Sequence, residues 1–125
     1  YHVAVVFERE TGVTMYLDGS AVGSLLSVTE LSENPFSKQL YFMSDIQRAH
    51  RCSGILSDVR IWDRALTETE IQQQKNERLH GTEAGLIGYW KLNNGVGSTA
   101  IDATENNNNG AIYGAVWLNH PVEPY

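Results

Sequence analysis

Residues 53–71 read SGILSDVRIWDRALTETEI. They decide the fold class because they hold two elements of different period. From Ile55 to Trp62 the side chains alternate. Ser57, Val59 and Ile61 share one face, and Leu56, Asp58, Arg60 and Trp62 share the other. A period of two is that of a β-strand. Thr67-Glu68-Thr69-Glu70 is then a capping box, in which the Thr67 hydroxyl can accept from the Glu70 amide and the Glu70 carboxylate from the Thr67 amide. Leu66 and Ile71 stand at the spacing of a hydrophobic staple. Glu68 and Glu70 lie at the positive end of the helix dipole, Lys75 and Arg78 near its negative end. The pattern predicts a helix over 68–77 that stops before Gly81. Only Ile71 and Leu79 are apolar, so the helix is a surface cap.

Working outward, LHGTEAG (79–85) reads as a linker and LIGYWKL (86–92) as a strand. NNGVGS (93–98) and DATENNNNG (102–110) are polar loops, and AIYGAVWL (111–118) is a last strand with a bulge at Gly114. Toward the other end, HVAVVFE (2–8) is apolar on both faces and is expected to be a central strand. In 13–18, Val13, Met15 and Leu17 face one way, Thr14, Tyr16 and Asp18 the other. Asp18-Gly19 is a tight-turn signal before a returning strand. Residues 27–38 and 45–53 read as loops, and QLYFMS (39–44) as a strand. About seven strands and one short helix give an all-β, antiparallel β-sandwich.

Composition bounds the function. The chain has 125 residues, 42% hydrophobic, enough for a packed core rather than disorder. The net charge is −6 and the nine basic residues do not cluster, which argues against nucleic-acid binding. No apolar run approaches the roughly 20 residues of a membrane span. Cys52 is the single cysteine and is expected to be a small buried hydrophobe.

Residues 53–71 resemble the end of concanavalin A-like, laminin G-like jelly-roll domains, which close with Asp-Glu-Val-Arg-Ile-Tyr, then Arg-Ala-Leu-Ser and a capped helix. YHVAVVFERETGVTMYLDGSAVG (1–23) resembles a strand pair and Asp-Gly hairpin of the same family. GLIGYWKLNNGVGSTAIDATENNNNGAIYGAVWL (85–118) resembles its opening strands. Ser57 stands where the family usually has Asp.

The resembling segments cover about 80 of the 125 residues, but the closing motif precedes the opening one. The jelly roll is therefore expected to be incomplete or permuted. Residues 1–80 would be the C-terminal half of one module and 81–85 a linker. Residues 86–118 would be the first strands of the next module, and 119–125 an irregular tail. Three arrangements fit: a piece of a tandem array, a circular permutant, or a sheet completed by a neighbouring module or chain.

The resemblance implies an extracellular or cell-surface binding module for a glycan or an extracellular protein. The alternatives are an assembly module that uses its sheet edges and an ancillary domain of a secreted glycoside hydrolase. Ca2+ sites in this family commonly involve the loop matching 102–110. Asp102, Glu105, Asn107 and Asn109 are therefore candidate Ca2+ ligands, against the plainer reading of a solvated Asn-Gly turn. Among the aromatics, Tyr16 and Trp62 are the candidate sugar platform, because each lies on the strand face opposite the clearly apolar one. Glu8 and Glu10 are two apart, as a glycosidase pair would need, but read as solvated turn carboxylates. His2, His50, His80 and His120 show no metal-ligand spacing, and no catalytic residue is assigned.

Overall fold

The computed structural model describes residues 1–8, 11–25, 39–44 and 52–118. Among them are seven strands and one helix: β1 (Val3–Glu8), β2 (Gly12–Leu17), β3 (Ser20–Leu25), β4 (Val59–Trp62), α1 (Glu68–Gln74), β5 (Leu86–Trp90), β6 (Thr99–Ala100) and β7 (Gly110–Ala111). All pairings are antiparallel, in three sheets ordered β1-β2-β3, β4-β5 and β6-β7. The result is an incomplete β-sandwich with a single short helix.

The first sheet is built on its hairpin. Asp18 and Gly19 have φ of 50° and 85°, both left-handed, as a two-residue type I′ turn requires. Asp18 also receives the His2 amide on its carboxylate (2.7 Å), and its own amide donates to the His2 carbonyl (2.7 Å). β1 is an edge of this sheet, and β2 is central. The two-sided apolar character of 2–8 thus marked something other than a central position. Val3, Val5 and Phe7 face outward with Met15 and Leu17 of β2, and all five are exposed. Ala4, Val6, Thr14 and Tyr16 form the half-buried face. The more apolar face is therefore the open one, the reverse of the usual burial preference.

The helix forms where its caps demand. The Glu70 amide donates to the Thr67 hydroxyl (3.2 Å), and the Thr67 amide donates to the Glu70 carboxylate (2.8 Å). Helix α1 is shorter than the expected 68–77, with Lys75 as its C-cap. Ile71 is buried, and the helix rests on the β2–β3 turn. The Gln72 amide donates to the Gly19 carbonyl (3.2 Å) and the Lys75 ammonium to the Asp18 carbonyl (2.7 Å). A side chain at Gly19 would meet the Gln72 Cγ at 3.0 Å, so the turn needs glycine for closeness as well as for φ. Thr67→Ala should cost about 1 kcal/mol, the usual worth of such a cap; a urea midpoint unchanged from the parent would count against the cap's role.

Several expected strands are cut short, three of them at a non-glycine residue in the left-handed region. Asp58 (φ 54°) delays β4, so the expected 55–62 strand begins at Val59. Leu92 (φ 54°) lies just beyond β5, which ends at Trp90. Met43 (φ 61°) breaks 39–44, of which only Ser44 makes a bridge. The last strand shrinks to Gly110–Ala111, ahead of Gly114 at φ 74°. Cys52 is exposed, not buried. Its amide donates to the Met43 carbonyl (2.9 Å).

The core lies around β4 and β5. Leu79, Leu86 and Tyr89 are buried together, with Trp62 and Ala103 packed against them. Trp90 lies across Gly88: a Cβ at Gly88 would come within 2.5 Å of the indole ring. Phe42 packs on the same indole at 5.9 Å.

Candidate functional site

Strand β5 is held along both edges, and this organises the region that sequence reading had picked out. On one edge Arg60 of β4 pairs with Tyr89. On the other, the loop 102–109 supplies both backbone and side-chain groups where a neighbouring strand would supply backbone alone. The Tyr89 amide donates to the Asp102 carboxylate (2.9 Å), and the Ala103 amide to the Tyr89 carbonyl (2.8 Å). The side-chain amides of Asn106 and Asn108 both donate to the Ile87 carbonyl (3.1 Å each). The Trp90 indole N–H donates to the Asn108 carbonyl (2.9 Å). The asparagine run thus satisfies a sheet edge that would otherwise be open.

Asp102 is the keystone of that loop, with only 5% of its surface exposed. Its Oδ1 accepts from the amides of Tyr89 and Thr104, and its Oδ2 from the Thr104 hydroxyl and the Asn108 amide, all at 2.9 Å. Burial pushes its carboxyl up, but these donors outweigh burial and hold it below the ordinary aspartate value.

A Ca2+ ion fits poorly here. A cation needs carboxylate lone pairs turned toward it, and the Asp102 lone pairs are met by four protons. The other expected ligands do not converge with it. Asn109 uses its side-chain oxygen to accept from the Asp102 amide (2.9 Å). The Asn107 side-chain amide donates to the Glu105 carbonyl (2.8 Å), with the Asn107 backbone at φ 53°. Glu105 is exposed. Among the described residues no three His, Cys, Asp or Glu side chains are grouped for a metal.

Tyr16 and Trp62 are in different sheets. Tyr16 is half-buried in the middle strand β2. Trp62 packs on the core and carries the Arg64 guanidinium 5.4 Å above its ring. Glu8 accepts from the Thr11 hydroxyl (2.6 Å) at the hairpin end; Glu10, His50 and His120 lie outside the described residues.

Two features escaped sequence reading. One is a polar knot beneath Tyr89. The Tyr89 hydroxyl donates to Asp58 (3.0 Å), and Arg60 pairs with the same carboxylate. Arg60 also donates to the carbonyls of Gln74 and Glu77, and lies 5.5 Å over the Tyr89 ring. Burial, then the Asp58 charge, raises the Tyr89 phenol above its ordinary value. The alternating charges of Asp58 and Arg60 on one strand face were the available signal. The other feature is Glu83, whose carboxylate accepts from the amides of His80 (2.7 Å) and Gly81 (2.9 Å). It lines an open cleft of about 250 Å3, with Thr82, Glu105 and Asn106 on its walls and buried Leu86 beneath.

The titrating groups predict a pH profile. Glu70 is lowered to about 2 by the Arg64 guanidinium and then by Thr67. A carboxyl depressed on folding stabilises above its unfolded value and loses that contribution as pH falls through the folded one. Stability should therefore decline between about pH 4.5 and pH 2. His2 is lowered by burial and then by Arg60. For a base lowered on folding, the unfolded chain binds the extra proton, so stability should already fall as pH drops below 6.5. Thermal midpoints across pH 2–8 check both limbs, and His2→Gln should flatten only the upper one.

A family model described as the concanavalin A-like lectin/glucanases superfamily matches residues 1–72, more than half of the chain. No curated protein and no solved structure matches it. No helix among the described residues is long and apolar enough to cross a membrane.

Proposed function

The chain belongs to the concanavalin A-like lectin/glucanase superfamily, and from that membership we propose that it is an extracellular binding module for a glycan or a glycan-bearing protein, without catalysis of its own. The observation that carries this reading is the family match over residues 1–72. Binding modules of this kind work from loops positioned by a rigid sheet. The cleft beside the Asn-rich loop supports the reading. Its wall combines the Thr82 hydroxyl, the carboxylates of Glu83 and Glu105, and the Asn106 amide, over the apolar Leu86. Hydroxyls of a sugar can bond such a wall while its C–H face rests on the floor. Tyr16 and Trp62 stand apart from this cleft's lining and are the second place to look for stacking.

A glycan array probed with the chain, in Ca2+ and in chelator, tests the proposal. Binding to a defined glycan class is expected, weakened by Glu105→Ala and unaffected by chelator. No binding to any glycan or glycoprotein on the array would overturn it.

A further inference from the structure

The triplet Asn-Asn-Gly occurs twice, at residues 93–95 and 108–110, and holds the chain's two Asn-Gly steps, Asn94-Gly95 and Asn109-Gly110. Such a step is chemically labile because glycine has no Cβ to shield its own peptide nitrogen. Once hydroxide has taken its proton, that nitrogen can attack the asparagine Cγ. A C–N bond forms, the side-chain nitrogen leaves as ammonia with a proton from water, and a cyclic succinimide remains. Water then opens either carbonyl of the ring. The products are aspartate and isoaspartate, in which the backbone runs through the side chain. We propose that Asn94-Gly95 is a site of spontaneous deamidation, and that the fold protects the same step at Asn109-Gly110. The proposal is independent of ligand binding.

The same residue precedes the asparagine in both triplets, so local sequence does not separate the two steps. Exposure does not favour Asn94 either, since Asn94 is half-buried and Asn109 exposed. Tethering separates them. The Asn109 Oδ1 accepts from the Asp102 amide (2.9 Å), and the Asn109 amide donates to the Asn107 carbonyl (2.8 Å). Gly110 opens β7 and pairs with Ala100 of β6. To close the ring, the Asn109 side chain and the Gly110 nitrogen must turn toward each other, so the side-chain bond and the ladder pairing are lost first. Asn94 and Gly95 lie between β5 and β6. Among the described residues, neither the Asn94 side chain nor the Gly95 amide makes a hydrogen bond. A Cβ at Gly95 would meet nothing within 4 Å. The loop is pinned further on, where the Trp117 indole N–H donates to the Gly97 carbonyl (2.6 Å) and the Ile112 amide to the Ser98 carbonyl (2.9 Å). The Asn94-Gly95 step can therefore bend without breaking a tie of the fold. Two ordinary hydrogen bonds lost before ring closure slow Asn109 by about tenfold or more.

Incubation of the whole chain in mildly alkaline buffer, with and without urea, tests this by peptide mass spectrometry that separates aspartate from isoaspartate. In the folded chain Asn94 is expected to convert to both products about tenfold or more faster than Asn109. In urea the ties at Asn109 are gone, and the two rates should become similar. Each conversion at Asn94 adds one negative charge to the net −6, which isoelectric focusing resolves. Asn94→Gln, whose longer side chain must close a larger ring, should remove the main acidic species and leave the circular dichroism unchanged. If Asn94→Gln fails to fold, the two rates in the parent decide. Asn109 converting as fast as Asn94 in the folded chain, Asn94 staying intact over a time in which the unfolded chain converts, or a preference for Asn94 that persists in urea would each overturn the proposal.

Discussion

Tyr89→Ala should unfold the region around β4 and β5, with a loss of about 3–5 kcal/mol, the range for truncating a buried aromatic. Tyr89 is fully buried and its ring is the centre of a small core with Leu79 and Leu86. Three further ties run through the same residue. Its hydroxyl donates to Asp58, its amide to Asp102, and its carbonyl accepts from Ala103. Removing the ring leaves Asp58 and Arg60 without the aromatic that covers them. Tyr89→Phe separates the contributions. It keeps the ring and loses only the hydroxyl, which should cost about 1 kcal/mol. Urea unfolding followed by near-ultraviolet dichroism reads both. Tyr89→Ala unfolding within about 0.5 kcal/mol of the parent would show that this core does not hold the chain together.

Asp102→Ala should cost about 3 kcal/mol or more. Its carboxylate is the shared acceptor for four donors, and Tyr89 and Thr104 are themselves buried. Removing an acceptor strands each buried donor at about 1–3 kcal/mol, although water entering the loop offsets part of that sum. Asp102→Asn should be nearly as damaging, because its amide turns hydrogens toward groups that already donate. The same pair of variants decides the question of calcium. If Asp102 is a keystone and not a ligand, Ca2+ should leave the thermal midpoint of the parent unchanged, and the cost of Asp102→Asn should be equal in Ca2+ and in chelator. A parent that is stabilised by Ca2+, with the gain abolished in Asp102→Asn, would reverse that assignment.

Local chemistry was legible where a motif specifies both partners. The capping box of Thr67 and Glu70 and the Asp18-Gly19 turn formed as their spacing implies. A strand formed at Leu86–Trp90 within the expected 86–92, whose apolar run is long enough to read. Strand ends were not legible, because Asp58, Leu92 and Met43 enter the left-handed region without being glycine. Propensity assigns that conformation a cost, which tertiary contacts override. Which face of the first sheet turns inward was not legible for a different reason. Alternation shows that two faces differ, but not which one the rest of the chain covers. Here the more apolar face is left open, and the face carrying Thr14 and Tyr16 is half-buried.

The candidate site shows the same limit. Asp and Asn side chains suit a cation and a cradle of amide donors equally well, since both need oxygen acceptors. Only the directions of the Tyr89, Thr104 and Asn108 amides tell them apart. Residues 86–90 pair with 59–62. The β1-β2-β3 sheet receives no strand from residues 86–118 among the described residues.

The central claim is that β4, β5 and the loop 102–109 form one cooperative unit joined through Tyr89 and Asp102. Hydrogen exchange of the whole chain, resolved by residue, tests it most directly. The amides of Tyr89, Ala103, Thr104 and Asn108 should exchange with one common opening free energy, and Asp102→Asn should lower all four together. Exchange of the 102–109 amides at free-peptide rates while Tyr89 stays protected would contradict it.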